Sequence, residues 1–169
     1  MITHNFHQSL AFCERHQSFA YPLYQKVFGG EPRPATQRME QIRGVDVVVE
    51  SMQRTWTIEE KVRTKQYGDI FLEYASAREL GTPGWIAKNL VSDYLAYIVL
   101  EDKSVRLFPF PLLRQAWIRN GENWKRKYGE ISVPNGGHFG TYTTLGVCVP
   151  VDVVWDEITK KHIKAGHGR

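Results

Sequence analysis

The stretch GVDVVVESMQRTWTIEEK, residues 44–61, runs twice through the period of a β-strand. Val45, Val47 and Val49 alternate with Asp46, Val48 and Glu50; further on, Trp56, Ile58 and Glu60 alternate with Thr57, Glu59 and Lys61. β-Branched residues dominate both runs, which predicts a hairpin closed by SMQR, residues 51–54. With that loop Glu50 faces Thr55, and Asp46 falls opposite Glu59. Two carboxylates directly across a strand pair repel each other and disfavour the pairing, unless something positive lies between them. A divalent cation is the simplest such object, and hard oxygen ligands suit magnesium, manganese or calcium rather than zinc. Lys61 stands two residues beyond Glu59 and therefore on the same face.

Two carboxylates around a metal with an ammonium beside them suit phosphodiester hydrolysis. The metal polarises the phosphoryl group and makes hydroxide available, while the lysine orients the water or offsets transition-state charge. An acid on one strand and acid-x-lysine on the next, here Asp46 and Glu59-Glu60-Lys61, resembles the PD-(D/E)XK, or restriction-endonuclease-like, nuclease superfamily. The resemblance spans about residues 5–100 and implies an α/β fold: an αβββαβ core, a mixed central sheet flanked by helices. A helix/strand elaboration would follow over about 101–160, then a basic tail at 160–169, all within one domain of residues 1–169. The resemblance further implies Asp46 and Glu59 as ligands of magnesium, with manganese as a substitute, the backbone carbonyl of Glu60 as another, and Lys61 as the catalytic lysine. The proline of the motif's name is Val45 here. Family members often add a carboxylate from the first helix; Glu14 is the candidate, with Glu40 second because it stands too near the first strand.

Acids and lysine alternating on an exposed strand also serve solubility alone. Against that bland reading stand the facing Asp46–Glu59 pair, Gly44 before the acid, and the order of the downstream elements.

Around the hairpin the chain reads as follows. Residues 5–28 carry Leu10, Phe12, Phe19, Leu23, Val27 and Phe28 at mostly helical spacing, with Pro22 expected to break or kink the helix. GGEPRPAT, 29–36, reads as a loop, and DIFLEYA, 69–75, as a third strand after the turn TKQYG. A five-residue turn would set Glu73 opposite Glu59 as an accessory acid. GTPGWIAKNL, 81–90, reads as a short helix with Thr82 as cap and Pro83 in its first turn. DYLAYIVL and VRLFPF read as strands. Pro111 opens an amphipathic helix to about 125, burying Leu112, Leu113, Ala116, Trp117 and Trp124. VPNGGHFG reads as a loop, TYTTLGVCV as a last strand, and KKHIKAGHGR as a frayed polar tail.

Length and composition frame these readings. The 169 residues suffice for one cored domain, and the +4 charge with pI near 9.1 suits a polyanionic partner without demanding one. Arg63 and Lys65 continue the strand beyond Lys61, Lys88 follows Trp85, and Arg38 and Arg43 precede the first strand. Together they could lead a phosphate backbone, in DNA before RNA, across the acids. Cys13 and Cys148 have no CxxC or metal spacing, which leaves two reduced thiols as the expectation. No signal-like start or apolar run of about 18 residues occurs, so a soluble, cytoplasmic protein is expected. His4, His7, His162 and His167 lack partner ligands, and NGGHFGT lacks the Lys-Ser/Thr of a phosphate loop; His138 there reads as an ordinary loop histidine. Tyr94, Tyr97, Phe108 and Phe110 read as core. The expectation is thus a magnesium-dependent endonuclease acting on DNA, with no membrane partner and homodimerisation plausible for two-strand cutting. The alternative is an inactive nuclease-fold protein that binds nucleic acid or is structural.

Overall fold

A computed structural model describes residues 16–36, 42–137 and 140–165. It is mixed α/β, with nine strands and three helices among those residues, in two compact units. One unit holds residues up to Gln66 together with Val91–Phe108; the other holds Tyr67–Leu90 and the chain from Pro109.

The first unit is a five-stranded mixed sheet with one described helix. Helix α1, Gln17–Phe28, buries the stripe Ala20, Tyr24 and Phe28 at i, i+4 spacing, and His16 just ahead of it continues the stripe. Pro22 neither breaks nor ends this helix: it lies on the exposed side, where its ring meets solvent and not the core. Gly29 stops the helix instead, at φ 71°, its N–H returning to the Gln25 carbonyl at 2.9 Å. The segment expected as a loop then enters the sheet as β1, Gly30–Pro34, antiparallel to β2, Val47–Ser51. Pro32 and Pro34 restrict β1 to a sheet edge, and it is one. A Cβ on Gly30 would lie 2.2 Å from the Glu50 carbonyl oxygen, so the strand can start only with glycine.

β3, Thr55–Arg63, pairs antiparallel with β2 in the expected register: Glu50 faces Thr55 and Val47 faces Ile58. Its other neighbour is not the segment after it. That place belongs to β6, Tyr94–Val99, which runs parallel to β3 and is followed at the edge by β7, Ser104–Pro109. Parallel pairing requires a crossover, and residues 64–93 supply one. On the α1 side of the sheet Val47, Val49, Ile58, Ala96 and Ile98 are buried against Ala20, Tyr24 and Phe28. Phe28 closes the end of this core, its ring centroid 5.2 Å from Trp56 and 5.0 Å from Tyr94. Ile58 is fully buried and contributes roughly 1.5–3 kcal/mol of hydrophobic burial.

The second unit is built on β4, Asp69–Ala77, which the sequence predicted as a strand but placed in the wrong sheet. β4 lies between β5, Thr82–Pro83, and β9, Gly140–Pro150, with β8, Ile131–Gly137, on β9's far side. Glu73 therefore pairs with Gly146 and not with Glu59. The expected helix at 81–90 is β5 and turns, so the crossover carries only the 3₁₀ turn Arg78–Leu80 as helix. The sequence signal there was Thr-Pro-Gly, which serves a turn as well as a helix start. VPNGGHFG is likewise no plain loop, since its residues up to Gly137 belong to β8. Helix α2, Phe110–Tyr128, buries Phe110, Leu113, Ala116 and Trp124, leaving Leu112 and Trp117 half-buried. Trp117 stacks on Tyr74 at 5.8 Å. Helix α3, Val151–Ala165, takes in much of what read as a frayed tail, with Val154 and Ile158 buried at i, i+4 spacing. Tyr97, Phe108 and Phe110 are buried as expected.

Candidate functional site: two faces of strand β3

Asp46 lies one residue ahead of β2; its backbone continues the ladder towards β1 and bonds off-register to β3. Its N–H donates to the Ile58 carbonyl at 2.9 Å, and its carbonyl accepts the Ala35 N–H at 2.8 Å. Gly44, at φ 76°, turns the chain into this position, and its carbonyl accepts the buried Ser92 hydroxyl. The β2–β3 register ends at Val47 and Ile58, and Asp46 doubles up with Val47 on Ile58 as a β-bulge. It therefore does not pair squarely with Glu59 as the sequence implied, although the Glu59 charge still acts on its carboxyl.

The Asp46 carboxyl accepts the backbone N–H of Glu60 at 2.7 Å. Asp46 as a residue is exposed, while neighbouring protein atoms still partly desolvate its carboxyl. That desolvation, and next the charge of Glu59, push it up to about 6; the Glu60 N–H and Lys61 oppose the rise. Glu59 is 6% exposed and ion-pairs with the Lys61 ammonium, which also donates to the Glu60 carbonyl at 3.2 Å. One cationic group thus already bridges the Glu59 carboxylate and the Glu60 carbonyl, while Asp46 beside them remains short of positive charge.

Such a donor set fits a hard divalent cation: two carboxylates and a main-chain carbonyl, all oxygen, with more negative charge than Lys61 offsets. Among the described residues no three His, Cys, Asp or Glu side chains form a metal-holding group. Asp46 and Glu59 supply two, and the remaining donor would be main chain.

The opposite face of β3 holds the side chain of Glu60, which the sequence analysis used only for its carbonyl. Glu60 sits in the otherwise apolar row Trp56, Ile58, Val62, facing α1. Tyr24 donates its hydroxyl to Glu60 Oε1 at 2.7 Å, and His16 Nε2 lies 2.8 Å from Oε2. Burial, then the Glu60 carboxylate, raise the Tyr24 phenol far above its ordinary range. Tyr21 is pushed up to about 12 by burial first, then by Glu60 and Asp46. The signal for this network was present in the sequence: a carboxylate in an apolar row must find donors, and His16 and Tyr24 share the buried stripe of α1.

The remaining predicted residues scatter. Arg63 ends β3 and donates to the Tyr97 hydroxyl at 3.2 Å. Lys65 and Arg43 are exposed in the same unit as Asp46, whereas Lys88 and Glu73 belong to the other unit. Glu73 is hydrogen-bonded by the Ser76 hydroxyl, and its expected place beside Glu59 is lost because β4 joins β9. Glu14, Arg38, Glu40 and His138 lie outside the described residues. No helix among the described residues is long and apolar enough to cross a membrane.

No protein-family model, no curated protein and no solved structure matches this chain.

Proposed function

We propose that this protein is a metal-dependent endonuclease that hydrolyses phosphodiester bonds, most readily in DNA, with Asp46, Glu59 and Lys61 as its working residues. The observation that carries the reading is the Asp46 carboxyl on the Glu60 N–H, close enough for the Glu59 charge to act on it, with Lys61 on the Glu59 carboxylate. Asp46 and Glu59, with the Glu60 carbonyl, would hold magnesium or manganese, which supplies Lewis-acid polarisation of the phosphoryl oxygens and a hydroxide at neutral pH. The protein's part is positional. Backbone bonds on both sides fix Asp46, burial fixes Glu59, and Lys61 presents a positive charge where the pentavalent phosphorus would accumulate negative charge.

The order of elements supports the restriction-endonuclease-like reading with other strands than the sequence nominated. α1 precedes three antiparallel strands, β1 to β3, and a later strand, β6, lies parallel to β3. The acid stands one residue ahead of the second of these strands and Glu59-Glu60-Lys61 lies on the third. The departure is the crossover, which carries β4 and β5 where a helix was expected. Arg63, Lys65 and Arg43 would add phosphate contacts, and Lys88 and Arg38 remain in the proposal only through their charge.

Asp46→Asn and Glu59→Gln test this. Each should weaken calorimetric binding of manganese and abolish magnesium-dependent nicking of supercoiled, branched and single-stranded DNA. Each should also leave the fold intact, because each relieves carboxylate repulsion. Metal binding unchanged in both variants removes the site; a parent that cuts neither DNA nor an RNA control leaves the inactive, binding-only alternative.

A further inference from the structure

A concavity of about 550 Å³ opens in the first unit beyond the carboxyl ends of the parallel strands β3 and β6, within the range of roughly 300–1,000 Å³ typical of small-molecule sites. Its lining divides by chemistry. Phe19 from the first turn of α1 and Leu100 after β6 provide apolar surface, and Ser18, Thr64, Lys65, Glu101 and Lys103 provide a polar rim with two cations and one anion. The crevice outside the carboxyl ends of parallel strands is where open α/β sheets place ligands.

The floor is fixed. The Leu100 N–H donates to the Arg63 carbonyl at 2.9 Å and the Glu101 N–H to the Thr64 carbonyl at 3.0 Å, so the parallel ladder continues past both strands. The acids of the rim are engaged: Glu101 accepts the Gln66 N–H at 2.9 Å, and Asp102 accepts the Ser104 N–H at 3.1 Å. Lys65 and Lys103 are exposed and make no ion pair with a described residue. Lys103 is, moreover, the one non-glycine among the described residues with positive φ, at 53°. A turn indifferent to its side chain would place glycine, asparagine or aspartate there; this one holds a lysine in a strained conformation at the pocket.

We infer that this concavity binds a nucleotide, its base against Phe19 and Leu100 and its phosphate between Lys65 and Lys103. An apolar floor beside two ammonium groups, against the single Glu101 carboxylate of the lining, favours a ligand that is both hydrophobic and anionic over a bare sugar. The site goes beyond the nuclease reading and shares only Lys65 with it: none of Asp46, Glu59 and Lys61 lines it, and it needs no metal.

Calorimetric titration in EDTA, on an Asp46→Asn background, isolates it from the metal centre. The probes are dAMP, deoxyadenosine, inorganic phosphate and a 5′-phosphorylated dinucleotide. dAMP should bind at least ~10-fold more tightly than deoxyadenosine or phosphate alone, because each of those lacks one half of the contacts. Lys65→Ala and Lys103→Gly should each weaken dAMP by about tenfold. Lys103→Gly also removes the positive-φ strain, so it should melt no lower than its parent and the loss cannot be ascribed to unfolding. A dinucleotide tighter than dAMP assigns the pocket to a strand end, and one no tighter assigns it to a free mononucleotide; either supports the inference. Absence of dAMP binding at millimolar concentration, or binding indifferent to both lysine variants, overturns it. Because no metal enters, failure here is distinct from failure of the nuclease assay.

Discussion

Glu59 and Glu60 are neighbours on one strand, but their carboxylates occupy opposite circumstances. Glu60, in the apolar row facing α1, has a donor for each oxygen in Tyr24 and His16. Glu59, on the other face, has Lys61, but shares its surroundings with Asp46, whose carboxyl is raised to about 6. One face carries a satisfied, part-buried carboxylate and the other an unbalanced pair. Satisfied groups stabilise structure; an excess of charge that folding alone does not require is the usual mark of a working site. The contrast makes Glu60 the hinge between the two, since its side chain is held on the α1 face while its N–H and carbonyl touch Asp46 and Lys61.

The largest effect expected from breaking this contrast is on chemistry. Lys61→Ala should cleave DNA at least ~100-fold more slowly while binding manganese and DNA nearly as well as the parent, a typical loss for one electrostatic group acting in the transition state. Lys61→Met, which keeps the packing of the stem, should behave alike. Single-turnover cleavage beside calorimetric binding checks this, and undiminished cleavage in either variant removes Lys61 from catalysis.

On the other face the effect should be structural. Tyr24→Phe leaves one buried oxygen of Glu60 without its donor, and should cost about 1–3 kcal/mol in urea unfolding. Phe28→Tyr, at the other end of the stripe, cannot reach Glu60 and should not restore the loss. If Tyr24→Phe unfolds at the parent's midpoint, the Glu60 face does not hold the strand as described.

A smaller and purely electrostatic change sharpens the comparison. In metal-free protein the Asp46 carboxyl should titrate near 6 by NMR, and Glu59→Gln should bring it down by removing the second-largest cause of its rise. The sign for stability follows. A folded-state value above the unfolded 3.8 means that the folded protein binds the proton more tightly, so protonation favours the fold. That stabilisation is full below the unfolded value and is lost as pH rises through about 6. Metal-free protein should therefore gain stability on acidification from pH 7 towards 4 at this group, and Glu59→Gln should flatten the gain. An Asp46 resonance titrating near its ordinary value in the parent contradicts the crowding assigned to it.

The smallest expected effect is on affinity. Lys65→Ala or Arg43→Ala should each reduce the slope of log K against log salt for DNA by roughly one, uniformly across sequences. Slopes equal to the parent's would place both residues away from the phosphate backbone.

Local pattern was enough for the parts of this protein that interact at short range. The alternation around residues 44–61 determined two strands and the four-residue loop determined their register from Val47 to Glu50, but the bulge that sets Asp46 beside Val47 on Ile58 was not legible in it. The i, i+4 apolar spacing determined α1 and α2, though Pro22 showed that a proline on an exposed helical face is tolerated when packing on the other side compensates. Sheet membership was a different matter. A strand's sequence specifies which face is buried, but not which partner it meets, because backbone hydrogen bonds are the same for every partner. DIFLEYA was legible as a strand and still joined β9 from 70 residues on, while GEPRP, with two prolines, read as loop and became the edge beside β2. Only the tertiary structure could bring His16 and Tyr24 to Glu60, or set β6 parallel to β3 and so open the concavity at their ends. Those contacts depend on where distant segments pack, and the order of residues along one strand carries no record of it.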